Sequence, residues 1–293
     1  MGFRGSISEN PTGLCRVRGA AGRFIPGAST RGIFRSSGPL TLMRSPLRLA
    51  WKTSMAFFTL LAGASAGEIQ SSGKPPVLLE LFSSEGCSSC PPAEAWIGRL
   101  KNDPGLWRDV IPVVFHVDYW DGAAWADRFA LPEYTARQRR YAGLWGNDSV
   151  YTPGFVADGK EWKGWFQHTP LPPPGKEDGG TLRVLPTEDR KRIDVQYIPP
   201  SGGVTSPRLH VAFLGFSLSS QVRGGENGGR RLNHDFVVLH LEELPLDSNG
   251  ADALHATSLP TTSDHGDPVG AVAAWITSGD PGPLVQAAGG WLN

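Results

Sequence analysis

Cysteine is scarce, net charge is absent and long apolar runs are missing from this chain of 293 residues, and each shortage excludes a class of protein. Three cysteines do not make a disulfide-stapled scaffold, which bridges distant segments several times over. Lysine plus arginine and aspartate plus glutamate both number 28, so no overall excess of either sign points to nucleic acid or to a strongly charged partner. No apolar stretch reaches the ~20 residues of a membrane-spanning helix. The loop Gly224-Gly225-Glu226-Asn227-Gly228-Gly229 lacks the Gly-Lys-Ser/Thr ending and following helix of a phosphate cradle, and reads as a hairpin loop.

The charge that is present is unevenly placed. Residues 1–66 hold nine Arg or Lys against one acid, Glu9. Arg44, Arg48 and Lys52 precede an apolar run over 55–62, and Ala64-Ser65-Ala66 follows as a small-x-small cleavage pattern. This is the layout of a secretory signal, with Met43 as an alternative start and cleavage after Ala66. It predicts an exported protein, periplasmic or extracellular, with no stable membrane span after cleavage. Organelle import is the alternative for an Arg- and Ser-rich, acid-poor leader. Cleavage removes Cys15 and leaves Cys87 and Cys90 as each other's sole intramolecular partners.

Residues 77–82 form a short apolar run bounded by Pro75-Pro76 and by Ser83-Ser84-Glu85-Gly86, as expected of a buried strand. The Cys87-Ser88-Ser89-Cys90 segment follows. Pro91 and Pro92 suit a first helical turn, and Ala93, Trp96, Ile97 and Leu100 recur at helical spacing. A second buried strand is expected over 110–117 and a helix from Glu133 to about Trp145, the latter with Arg137, Arg139 and Arg140 on its solvated face. Asp158-Gly159 predicts a hairpin turn. The proline- and glycine-rich stretch 169–180 reads as a linker, beyond which 192–198, 209–218, 235–241 and 270–277 are strand-like.

Thiol-disulfide exchange needs a thiolate nucleophile and a second thiol near enough to resolve the mixed disulfide. A Cys-x-x-Cys between strand and helix supplies both, with Cys87 as nucleophile near the helix start and Cys90 as the resolving thiol. His116 and Asp118 alternate along one strand and so share a face, for a proton relay, a metal or a structural hydrogen bond. Zinc at a structural site takes four protein ligands, and no second cysteine pair exists. A soft metal such as Cu(I) held by the cysteines with His116 remains an alternative, as does a non-catalytic binding module with a structural disulfide.

The stretch from Glu80 to Pro92, the strand end Phe115-His116-Val117-Asp118-Tyr119-Trp120 and Tyr151-Thr152-Pro153 resemble the exported thioredoxin-like family catalogued as domain of unknown function 1223. Gly225-Glu226-Asn227, His234-Asp235 and Ala274-Trp275 resemble that family's second half, so the resemblance runs from about Pro76 to the C-terminus. It implies an α/β thioredoxin-like domain over 67–168, while the strand-like segments beyond the linker read by themselves as a smaller, mostly antiparallel β domain over 181–293. It also implies thiol-disulfide oxidoreductase activity at Cys87 and Cys90, with a cis Thr152–Pro153 bond presenting backbone to a substrate chain. Glu80 and Glu85 are the acids weighed for shuttling the Cys90 proton. No dissociable cofactor or resident metal is required, and the expected partners are a protein thiol or disulfide substrate and a redox partner.

Overall fold

The computed structural model describes residues 67–246 and 253–292. The signal-like run, its cleavage pattern, Met43 and Cys15 lie outside the described residues.

In chain order the elements are β1 (Ile69–Ser72), β2 (Val77–Ser83), α1 (Cys90–Gly98), β3 (Val110–His116), α2 (Pro132–Leu144), β4 (Gly154–Ala157), β5 (Lys160–Glu161) and the one-turn α3 (Gly164–Gln167). They continue with β6 (Thr181–Pro186), β7 (Arg192–Ile198), β8 (Pro207–Gly215), β9 (Leu218–Gln221) and β10 (Arg231–His234). The last are β11 (Val237–Pro245), β12 (Ala253–Ser258), β13 (Val269–Ser278) and β14 (Leu284–Trp291). Every residue of β2 and β3 is buried, which is why both read as continuous apolar runs rather than alternating ones.

The expected α/β thioredoxin-like fold followed by a smaller β domain is overturned. The described chain is mostly β, 42% strand against 15% helix, and is built on large mixed sheets. One eight-stranded sheet, ordered β14-β13-β8-β11-β3-β2-β4-β5, takes strands from both sides of the 169–180 stretch. The local order of strand, Cys-x-x-Cys, helix and strand is present, with β2 and β3 parallel and in register from Val77–Val110 to Ser83–His116. What the sequence did not reveal is that β11 continues the sheet, parallel to β3 at Val237–Val114 and antiparallel to β8. A second sheet, β1-β6-β7-β12, and the hairpin β9–β10 complete the architecture.

Alternation of side chains gives the large sheet two working faces. On one, Leu78, Phe82, Ile111, Val113 and Phe115 join Ala273 and Trp275 under Tyr134 and Tyr141 of α2. On the other, Val77, Leu79, Leu81 and Val114 pack against Ala93 and Ile97 of α1. Further along that second face, Val211, Phe213, Val272 and Ala274 pack against Leu182, Val184, Ile193 and Val195 of the smaller sheet.

Arg137, expected on a solvated helix face, is buried in the α2 layer. Its Nε donates to Glu80 of β2 at 2.7 Å, its Nη1 to Glu243 of β11 at 2.6 Å and its Nη2 to the Tyr141 hydroxyl at 3.2 Å. Tyr141 donates to the other oxygen of Glu80 at 2.6 Å. Burial opposes the guanidinium charge, but Glu80 and Glu243 outweigh it and hold Arg137 firmly protonated. Removing one partner from such a buried pair leaves the other charge uncompensated.

Arg137→Ala is therefore expected to cost about 3–5 kcal/mol by chemical denaturation, and Arg137→Met combined with Glu80→Leu to recover most of it. A loss below about 1 kcal/mol, the scale of an exposed pair, would contradict this role. Burial lifts the Asp158 carboxyl to about 6, although it accepts from the Leu78 N–H at 2.9 Å. An acid raised in this way confers stability below its unfolded pKa of about 3.9, and that stability is lost as pH rises through its folded value. Asp158→Asn, which tolerates the positive φ of 52° at this turn, should add roughly 1–3 kcal/mol at pH 8 and nothing at pH 4. An equal effect at both values would refute the assignment.

Candidate functional site

The carboxyl ends of β2 and β3 open the site. After Ser83 the chain makes two successive turns, the Cys87 N–H donating to the Ser84 carbonyl and the Cys90 N–H to that of Cys87, both at 3.2 Å. Cys87 and Cys90 form a disulfide with a Cα–Cα separation of 5.5 Å. α1 begins at Cys90, with prolines in its first turn, so Cys87 lies one turn ahead of the helix.

Gly86 is required by its neighbour. A Cβ there would stand 2.9 Å from Trp120 Cβ. Trp120 in turn donates from Nε1 to Thr152 Oγ1 at 2.7 Å, and the Thr152–Pro153 bond is cis. The cysteine loop, a partly exposed indole and the cis-proline segment are thereby contiguous. Trp120, Tyr151 and Phe166 are among the large apolar side chains left exposed.

Both cysteines are fully buried, whereas Ser88 and Ser89 are exposed. Their cover is the 224–229 loop, which the sequence placed as a hairpin loop and which joins β9 to β10. Asn227, itself fully buried, donates through Nδ2 to the carbonyls of Glu85 and Cys87, both at 2.9 Å. The Ser88 N–H donates to Glu226 Oε2 at 3.0 Å. One side chain thus holds the backbone on either side of Gly86 and a second holds the inter-cysteine segment.

Beneath this loop lies a set of buried ionisable groups. Ser83 donates to Glu94 of α1, and Glu94 pairs through its other oxygen with His234 Nδ1 at the end of β10. His234 Nε2 is 3.2 Å from Glu85 Oε1, without hydrogen-bond alignment. Glu85 Oε2 accepts from Trp125 Nε1 at 2.9 Å. His116 Nδ1 meets Asp127 Oδ2 at 2.7 Å, and Asp127 also accepts from the N–H groups of Glu85 and Phe129. The His116 and His234 rings are 5.1 Å apart. Burial disfavours both imidazolium charges, but Glu94, with Glu85, lifts His234 to about 10, and Asp127 raises His116. Burial would raise Glu94; His234 outweighs it and draws the carboxyl down.

The sequence-derived residues separate into two places. Cys87, Cys90, Glu85, His116, Thr152 and Pro153 surround the loop. Glu80 points to the opposite sheet face, where Arg137 and Tyr141 hold it. Asp118 does not share a strand face with His116, because β3 ends at His116; its carboxylate accepts from Thr135 Oγ1 at 2.5 Å. Glu94, Asp127, His234 and Asn227 were given no role from sequence. Their shared location depends on how β10 leads into β11 beside β3, where Asp235 accepts from Lys101 Nζ at 2.7 Å and from the Ser217 N–H at 2.9 Å.

A family model described as protein of unknown function (DUF1223) matches residues 78–276, more than half of the chain, and the protein belongs to that family. No curated protein matches it. Among solved structures, the crystal structure of protein AGR_C_4864 from Agrobacterium tumefaciens is 21% identical, over 75% of this chain and 95% of that one, with a TM-score of 0.51. HBP35 of Porphyromonas gingivalis is 14% identical, over 75% of this chain and 76% of that one, with a TM-score of 0.47. The likeness to the Agrobacterium protein concerns fold alone.

Asn227→Ala removes two of the three hydrogen bonds that hold the loop on the cysteine segment, leaving that of Glu226. Reduction of the disulfide by dithiothreitol, followed by thiol titration in the absence of denaturant, is expected to run at least tenfold faster than in the wild type, as loss of ~1.4 kcal/mol of closure allows. Unchanged kinetics would mean that the loop does not control access.

Proposed function

We propose that Cys87 and Cys90 form a redox-active pair that exchanges disulfides with a protein partner outside the cytoplasm. The observation that carries this reading is a disulfide between cysteines with two residues between them, joined through Gly86 and Trp120 to the Thr152–Pro153 segment, under a cover held by a few hydrogen bonds. A two-residue spacing adds little to stability, since closing so short a loop restricts the unfolded chain little, and it suits exchange.

In the oxidised form a substrate thiolate attacks Cys87 Sγ, forming a mixed disulfide while Cys90 leaves as thiolate. A second substrate thiolate attacks the substrate sulfur of that bond and releases Cys87. Two electrons pass from the substrate dithiol to the protein, and the reverse sequence, with Cys87 as nucleophile and Cys90 resolving, oxidises the protein dithiol. Thr152 and Pro153 present backbone to the substrate chain, and Trp120 supplies an apolar contact beside it. Among the described residues no helix is long and apolar enough to cross a membrane. The signal-like leader supports export.

The test is the equilibrium potential of the pair in glutathione and dithiothreitol buffers, together with trapping by single-cysteine variants. A reversible potential between about −120 and −270 mV, the range of exchange proteins, is expected, with Cys90→Ser accumulating mixed disulfides through Cys87 and Cys87→Ser accumulating none. A pair that resists reduction even after Asn227→Ala, or that traps no partner, would overturn the assignment.

A further inference from the structure

We propose that Glu94, His116 and His234 form a cysteine-free site for a divalent transition-metal cation of the zinc class, clamping α1, β3 and β10 together beneath the disulfide loop. One ring nitrogen of each histidine and one carboxylate oxygen of Glu94 lie within 4.8 Å of one another, and all three residues are buried. Donors around a tetrahedral zinc at about 2.0–2.1 Å stand roughly 3.3 Å apart. The group therefore closes on an ion by side-chain adjustment of an ångström or so.

Independent support comes from a polar atom left without a partner. His116 Nε2 is buried and makes no hydrogen bond, whereas His234 Nε2 faces Glu85 Oε1 at 3.2 Å as an ion pair without hydrogen-bond alignment. Orphaned buried nitrogens are costly, and a metal ion satisfies an imidazole nitrogen fully. The other nitrogen of His116 is already committed to Asp127, whose two oxygens are fixed by the Glu85 and Phe129 N–H groups. A carboxylate behind an imidazole is the arrangement that fixes the tautomer of a metal-bound histidine and strengthens it as a ligand.

Charge balance agrees. Three carboxylates, Glu85, Glu94 and Asp127, face two imidazoles in one buried volume. Two imidazoles with one carboxylate suit zinc and its first-row neighbours, and exclude a preference for calcium or magnesium, which take oxygen ligands. Glu94 and His234 also line a groove between α1 and β10 that opens to the surface, giving an ion a way in. This site uses neither cysteine and so stands apart from the exchange reading.

The experiment loads the full, oxidised chain with Zn²⁺, removes excess by dialysis and measures metal per chain by elemental analysis. Co²⁺ substitution then reports the donors. About one equivalent is expected, with a cobalt spectrum lacking thiolate charge transfer. His116→Ala and His234→Ala should each weaken retention at least tenfold, while His240→Ala, an exposed histidine elsewhere, leaves it unchanged. Should either variant fail to fold, X-ray absorption on the wild-type zinc form must show imidazole in the first shell. No retained metal, retention only after reduction of Cys87–Cys90, or a shell without imidazole would overturn the site. Because the disulfide stays closed throughout, failure here leaves the exchange reading standing, and a chain inert to thiols that still holds zinc separates the two in the other direction.

Discussion

A guanidinium sealed inside a sheet face sets the terms for this fold. Arg137 cannot be buried unless Glu80 and Glu243 are both beside it, and those carboxylates belong to β2 and β11, strands from opposite halves of the sequence. The helix that carries Arg137 meets both carboxylates only on a sheet in which β11 lies next to β3. Satisfying one charge therefore fixes the order of the central strands. His210 stacks on Trp275, donates from Nδ1 to the Glu243 carboxylate and meets Thr277 Oγ1 through Nε2, which carries the polar network on to β8 and β13. Polar networks of this kind specify an arrangement only when every member is satisfied.

The same constraint recurs on the other face with a different outcome. Glu94, His234, Glu85, His116 and Asp127 also bring both halves of the chain together, but His116 Nε2 among them remains without a partner. Position separates the two sets. The histidine set lies where the parallel strands β2 and β3 end, directly under the disulfide loop, and the Arg137 set lies along the middle of the sheet.

Much of the local structure was legible because it follows from short-range rules. Apolar runs marked β2 and β3, helical spacing with prolines at the start marked α1, and Asp158-Gly159 marked the β4–β5 hairpin. The fold class was not legible, because it turns on the pairing of β11 with β3, which no local pattern encodes. β14 escaped notice since its Ala287-Ala288-Gly289-Gly290 core has little strand propensity; the small residues are there because Trp107 lies against Gly289 and Ile69 against Gly290. Arg137 read as solvated because a charge on a helix usually is, and only the position of Glu80 on the facing strand reverses that. Of the site, the cysteines and Pro153 announced themselves by motif, whereas Glu94 looks like any acid on a short helix.

The cover over the cysteines also gives the protein a history. Cys87 and Cys90 emerge from the ribosome about 140 residues before Glu226 and Asn227, as the separations in these contacts show. For that interval the pair is bare, and the first oxidant or reductant it meets is met by a nascent chain with no hairpin to screen it. Screening by Glu226 and Asn227 is thus a property the pair acquires only once the 224–229 loop has been made and has folded onto it.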